Sequence, residues 1–219
     1  MKTLKELIRM TPVEKVTGNA DIEIKDVTAD SRMVVEGGLF ICLSGAHVDG
    51  HDFVKAAVEK GASAIVASRE VDVPSSVAVV YVKDTRKAME DMVPFFFDYP
   101  TRKMRMIALT GTNGKTTVTY LLASVFEAAG EKTGIIGTTG IFYGGTRIAP
   151  ELTTPDPVFL QKTLADMAKQ GVTFVAMEVS AHAVWYKKTA GIPFAAKIFT
   201  NFSQDHLDFF GNMQTYRKT

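Results

Sequence analysis

MIALTGTNGKTT, residues 106–117, is the stretch on which the fold turns. MIALT is a compact apolar run of strand length, and a helix is predicted over Lys115–Ala129, stopped by Gly130. Between them Gly111 and Gly114 let the backbone turn its N–H groups inward toward an anion. The helix start adds its dipole and its unpaired donors. Lys115 can reach terminal phosphates, and the Thr116 hydroxyl is placed for a Mg²⁺ held between phosphate oxygens. The predicted nucleotide-binding set is Gly111, Thr112, Asn113, Gly114, Lys115, Thr116 and Thr117. The usual GxxxxGK[ST] pattern is not matched, because Leu109 stands where its first glycine belongs. A tight turn capped by threonines is the plain alternative.

Working outward, the downstream chain alternates strand and helix. TGIIG is a second strand, GIFYGG a strand leading into a turn, and residues 157–170 a helix closed by Gly171. FVAMEV and AAKIFTNF complete four core strands, apolar enough to predict burial on both faces. Upstream, a short helix is expected over residues 3–9 and strands over Glu23–Thr28, Leu39–Leu43, Ala64–Ala67 and Val77–Val82. A helix over Phe53–Lys60 stops at Gly61. Another, capped by Asp84 or Thr85, is ended by Pro94 and Pro100. The expectation is an α/β protein: a small α/β domain over residues 1–100, then a mostly parallel sheet over 101–219. NMQTYRKT reads as a helix just starting, so a longer protein is expected.

Lys and Arg number 25 against 24 Asp and Glu, a net charge of +1, which argues against a general nucleic-acid groove and leaves room for a local anion site. Cys42 is the only cysteine, so no internal disulfide and no cysteine-rich zinc site can form. No apolar run is long enough for a membrane span, and MKTLKELIRMTP lacks a signal-peptide core. A cytoplasmic location follows as the expectation.

GTNGKTT together with MEVSAHA and FTNFSQDHLDFFG resembles the Mur ligase family, ATP-dependent enzymes that lengthen the peptide of the bacterial cell-wall precursor. TADSR at 28–32, GGLFICLSG at 37–45, VDGHDF at 48–53 and LTTPDP at 152–157 are similar to its tripeptide-synthetase branch. The resemblance implies a UDP-sugar-binding domain over 1–100, the first half of an ATP-binding ligase domain over 101–219, and a third domain not contained here. It implies ATP and Mg²⁺, with Lys115, Glu178 and His206 as catalytic residues and Thr116, Glu178 and His206 as metal ligands. From the residues alone, Glu178 is a hard oxygen donor at a strand end, where open α/β sheets bind ligands, or else a solvated strand-end glutamate.

By the same resemblance Ser31, Ala46, His47, Val48, Thr153, Thr154, Ser180 and Lys188 contact a UDP-N-acetylmuramoyl dipeptide. Lys188 replaces the arginine usual there, Tyr186 a glutamine and Ala181 a serine. A carbamylated lysine is implied just past Thr219, so Lys218 is not assigned that role. The implied reaction adds L-lysine or meso-diaminopimelate through an acyl phosphate, in a monomer with no nucleic-acid or membrane partner. Residues 1–219 alone are expected to be inactive. The competing readings are a related ligase such as folylpolyglutamate synthetase, and a non-catalytic module that holds nucleotide or UDP-sugar.

Overall fold

The computed structural model describes residues 2–45 and 48–219. The chain divides into two compact units, Met1–Asp98 and Tyr99–Thr219. The first opens with β1 (Lys2–Thr3) and α1 (Leu4–Ile8), joined by a capping box between Thr3 and Glu6. Then come β2 (Lys15–Thr17), β3 (Glu23–Ile24), β4 (Val27–Thr28), β5 (Gly38–Ile41), α2 (Val54–Glu59), β6 (Ala62–Ala67), β7 (Ala78–Tyr81) and α3 (Thr85–Phe96). The sheet order is β2-β7-β6-β5-β4, with β4 to β7 parallel and β2 antiparallel at the edge. Phe40, Ile65, Val79 and Ala57 pack its core. Cys42 is fully buried in that core, and burial pushes its thiol up to about 12.

Two expectations are corrected in this unit. The run Glu23–Thr28 is two strands, because the Asp26 carboxylate accepts the Val27 N–H and bends the chain. β3 pairs with β1 in a separate sheet while β4 joins β5. Pro94 does not end α3 but lies within its last turn. A proline there removes one bond from a helix about to stop, and Phe97 still donates to the Val93 carbonyl. The reversal comes later, from left-handed backbone at Asp98 and Tyr99, where φ is 58° and 49°.

The second unit contains β8 (Arg105–Thr110), α4 (Lys115–Ala128), β9 (Thr133–Gly137), β10 (Gly140–Tyr143), β11 (Thr146–Ile148), α5 (Pro157–Lys169), β12 (Phe174–Glu178), α6 (Ala181–Trp185), β13 (Phe194–Phe199), α7 (Leu207–Phe210) and α8 (Met213–Lys218). The sheet has six strands, not four, in the order β11-β10-β9-β12-β8-β13. The four core strands are mutually parallel; the strand read in GIFYGG is β10, and it forms an antiparallel hairpin with β11, which was not expected. That hairpin turns at Gly144 and Gly145, whose φ values of 51° and 83° suit a tight two-residue turn. α4 stops as read: Gly130 donates to the Glu127 carbonyl and Glu131 to that of Phe126.

β9 and β12 are buried along their whole length. β13 departs from the expected burial on both faces, since it is a largely exposed edge strand with Phe199 63% exposed. Phe126 of α4 stacks on Phe174 of β12 with ring centroids 3.7 Å apart, fastening the helix that follows the glycine turn to the central strand.

Candidate active site

β8 and β12 are parallel neighbours, with Leu109 opposite Glu178. The glycine turn that follows β8 and the carboxylate that ends β12 therefore emerge side by side at the C-terminal edge of the sheet. This is where open α/β sheets bind ligands. Gly114 is the left-handed N-cap of α4, at φ 83°, and α4 leads off with Lys115 and Thr116. The amides of the first helical turn have no partner within the helix and point out of its N-terminus.

Glu178 is 1% exposed, and its carboxylate is held by three hydrogen bonds. The Thr116 hydroxyl donates to Oε2 at 3.0 Å. The Thr138 amide donates to Oε1 at 3.1 Å and the Thr138 hydroxyl to Oε2 at 3.2 Å. Gly137 makes room for this: a Cβ there would lie 2.1 Å from Oε1 and 2.7 Å from Cδ of Glu178. Thr116 and Glu178 together form a pair of hard oxygen donors beside an anion-binding helix start, a set that fits Mg²⁺.

The sequence reading had Gly111 and Gly114 turn the loop amides inward. The structure turns two of them the other way. The Thr112 amide donates to the Asn201 carbonyl at 3.0 Å, and the Asn113 amide to Asn201 Oδ1 at 3.0 Å. The carbonyls point inward instead, and Lys115 Nζ donates to those of Gly111 at 2.7 Å and Thr112 at 3.0 Å. The donors left for a phosphate are Lys115 and the amides at the start of α4.

His206 lies at the N-cap of α7 with left-handed φ of 52°. No hydrogen bond or ion pair links it to Glu178 among the described residues, and no three His, Cys, Asp or Glu side chains there cluster as a metal-holding group. Its ring is 5.9 Å from that of Tyr216, whose hydroxyl stands 3.2 Å from Thr112 Oγ1. His182 packs 4.9 Å from His206 and 4.5 Å from Phe209. Burial, and then the neighbouring His206, lower the His182 pKa and so favour its neutral form.

The expected substrate residues form a second cluster beside the carboxylate. The buried Thr154 hydroxyl donates to the Glu178 carbonyl at 3.1 Å and accepts the Ser180 amide at 3.0 Å. The Ser180 hydroxyl accepts the Ala183 amide and caps α6. Thr153 meets Thr138 through their hydroxyls at 3.2 Å. The Lys188 ammonium is met by Asp156 at 2.7 Å, so its charge is engaged within the chain.

In the first unit Ser31 opens a short 3-10 turn capped by Asp30, which pairs with Arg32 at 2.7 Å. Val48 is 57% exposed, and Ala46 and His47 lie outside the described residues. A cavity of about 580 Å³ opens past the ends of β5, β6 and β7, lined among others by Ser44, Ser68, Lys83 and Arg86. Beside it His51 is buried; its Nδ1 lies 2.6 Å from Asp49 Oδ1 and its Nε2 accepts the Ser68 amide at 3.0 Å. The hydrogen bonds from the His51 amide and ring, and then the Arg69 charge, hold the Asp49 carboxyl down at about 2.

Sequence reasoning passed over Gly137, Thr138 and Asn201. Gly137 ends β9 and Thr138 follows it, at the same sheet edge as Glu178, and Asn201 follows β13. Position at the C-terminal edge of a parallel strand was the available signal.

A strand, a glycine loop and a helix start, with a carboxylate from the adjacent parallel strand turned onto them, define a P-loop nucleotide-binding α/β protein. The chain belongs to the Mur ligase family: the Mur ligase middle domain matches residues 109–219, and the Mur ligase family catalytic domain matches residues 23–97. It is 43% identical over 215 residues to UDP-N-acetylmuramoyl-L-alanyl-D-glutamate–2,6-diaminopimelate ligase 1 of Clostridium acetobutylicum, covering 98% of this chain and 45% of that protein. The corresponding ligase of Geobacillus kaustophilus is 46% identical over 202 residues, 91% of this chain and 40% of its own length. The chain thus spans under half the length of these curated relatives. Among solved structures, a UDP-N-acetylmuramoyl-L-alanyl-D-glutamate–2,6-diaminopimelate ligase superposes with a TM-score of 0.79 at 29% identity, over 99% of this chain and 43% of that one. A MurF ligase from Thermotoga maritima in complex with ADP shares the fold, with a TM-score of 0.57 at 20% identity over 91% of this chain and 42% of its own.

Proposed function

We propose that this chain supplies the UDP-sugar-binding unit and the nucleotide-binding part of an ATP-dependent amide ligase that extends UDP-N-acetylmuramoyl-L-alanyl-D-glutamate in peptidoglycan precursor synthesis. The names of the relatives favour 2,6-diaminopimelate over L-lysine as the amino acid added. The observation that carries the reading is the Glu178 carboxylate hydrogen-bonded to Thr116 at the helix start beyond the glycine loop. In the reaction the γ-phosphoryl group of ATP passes to the D-glutamyl carboxylate. The incoming amine then displaces phosphate from the acyl phosphate, giving the amide, ADP and inorganic phosphate.

Two anions must be brought together for the first step. Lys115 leaves the loop carbonyls for the phosphate oxygens, and the first-turn amides of α4 hold those oxygens. Thr116 and Glu178 would hold Mg²⁺, with His206 as a further ligand, direct or through water. When bound, Mg²⁺ supplies positive charge to the phosphates. Thr138 aims the Glu178 carboxylate. Thr153, Thr154 and Ser180 line the substrate side, and Lys188 exchanges Asp156 for a substrate carboxylate. Ser31, Ala46, His47 and Val48 hold the UDP end. The assignment is cytoplasmic and monomeric, with no nucleic-acid partner; among the described residues no helix is long and apolar enough to cross a membrane.

Calorimetric titration tests the proposal. The chain is expected to bind UDP-N-acetylmuramoyl dipeptide, and to bind ATP only with Mg²⁺. Lys115→Ala is expected to weaken ATP at least tenfold and to leave the UDP-sugar unaffected. Binding of a folate in place of the UDP-sugar would move the chain to the folylpolyglutamate branch. ATP affinity unchanged in Lys115→Ala would remove the loop from the site.

A further inference from the structure

The ladder between β13 and β8 ends where Phe199 pairs with Thr110, yet the two segments stay hydrogen-bonded beyond it, as far as Ser203. Beyond the ladder, the Thr200 amide donates to the Thr110 carbonyl at 2.9 Å and the Thr112 amide to the Asn201 carbonyl at 3.0 Å. The Asn201 carboxamide then takes both backbone polar groups of Asn113. Its Oδ1 accepts the Asn113 amide at 3.0 Å, and its Nδ2 donates to the Asn113 carbonyl at 2.9 Å. The Thr200 hydroxyl donates to that same carbonyl at 2.7 Å. Further on, the Thr112 hydroxyl accepts the Ser203 amide at 3.0 Å and donates to the Ser203 carbonyl at 3.2 Å.

The approach is close enough to dictate the residue at position 111. A Cβ on Gly111 would lie 2.3 Å from Thr200 Oγ1 and 2.8 Å from the Asn201 carbonyl oxygen, at a φ of 122° that disfavours any side chain. Gly114 has open space around its Cβ position and is required for its φ alone. The loop is therefore shaped from outside itself, by the segment that follows β13.

Resting on the reading that this loop holds the ATP polyphosphate, we infer that Asn201 is a positioning residue for the phosphate loop. The sheet is complete without its side chain, whose two bonds fall past the last ladder pair. What they fix is the direction of the Asn113 peptide groups. With these bonds in place the Asn113 amide faces the Asn201 segment alongside the Thr112 amide, which bonds the Asn201 main-chain carbonyl, and the Gly111 and Thr112 carbonyls cradle the Lys115 ammonium. Without them an exposed loop containing two glycines samples many conformers, and binding a polyphosphate must first select one. Water competes for single bonds at an exposed amide, and a side chain gripping donor and acceptor together offsets that competition with one immobilisation. The same segment runs on to His206, so the loop and that candidate ligand share one strap.

The test uses the 219-residue chain as wild type, Asn201→Ala, Asn201→Asp, Thr200→Val and Lys115→Ala. ATP affinity in Mg²⁺, the melting midpoint without nucleotide, and hydrogen exchange at the Asn113 amide are measured. Asn201→Ala should weaken ATP about tenfold, the size of one to two net hydrogen bonds. It should speed Asn113 exchange and move the melting midpoint by less than about 2 °C. Asn201→Asp keeps the acceptor and loses the donor, so it should retain Asn113 protection yet lose ATP affinity. If Asn201→Ala binds ATP like wild type while Lys115→Ala does not, the clamp is refuted and the loop reading stands. If Lys115→Ala itself binds ATP normally, the loop reading falls. Loss of affinity in strict parallel with a fallen melting midpoint would reduce Asn201 to a stability residue and overturn the inference. Should Asn201→Ala fail to fold, unchanged ATP affinity in both Thr200→Val and Asn201→Asp overturns it.

Discussion

Gly137 illustrates how a residue with no chemistry of its own shapes this site. Its missing Cβ is the space that the Glu178 carboxylate occupies, and the neighbouring Thr138 supplies two of the three hydrogen bonds on that carboxylate. Gly137→Ala is expected to push Glu178 off Thr116. The strain should cost about 1–3 kcal/mol of stability, the usual range for overpacking a filled site. The measurement is Mg²⁺-dependent ATP binding together with the melting midpoint. Wild-type values of both would show that the carboxylate does not need this cradle. Glu178 itself was legible in the sequence as the end of an apolar run. Gly137 was not, because the close approach joins residues 41 positions apart.

At the scale of elements, the turn after β5 depends on one buried histidine. His51 Nε2 accepts the Ser68 amide, so Nδ1 carries the proton toward Asp49, and Arg69 pairs with Asp49 from the other side at 3.2 Å. His51→Ala leaves the Ser68 amide without its acceptor and should destabilise the first unit by about 1–3 kcal/mol. The pH dependence has a definite sign. Asp49 is depressed from 3.8 to about 2, so its contribution is complete above pH 3.8 and is lost as pH falls toward 2. Acid titration followed by circular dichroism should show a component between pH 4 and 2 that Asp49→Asn removes; an unchanged acid limb in that variant would contradict the assignment. In the sequence VDGHDF carried a family resemblance, with no structural role for His51. That His51 faces Ser68 follows from β5 and β6 being parallel neighbours, which no local pattern records.

For the whole molecule, the decisive feature is that each unit has its own sheet and its own buried core. Phe174→Ala removes a fully buried ring and its stack on Phe126, and should cost about 3–5 kcal/mol in the second unit. In scanning calorimetry it is expected to lower one transition and leave that of the first unit in place. A single transition moving as one would mean that the two units unfold cooperatively.

The sequence by itself determined the alternation of strands and helices, the glycine loop with Lys115 and Thr116, and Glu178 at a strand end. These are carried by apolar runs, helix stops and residue types, all local in the chain. Only the tertiary structure decided that β12 lies beside β8, that Gly137 vacates the space for Glu178, and that the segment after β13 turns the Thr112 and Asn113 amides away from the loop interior. Strand order and hydrogen-bond direction are set by packing among residues tens of positions apart. The same glycines would have allowed those amides to face either way until Thr200 and Asn201 closed on them.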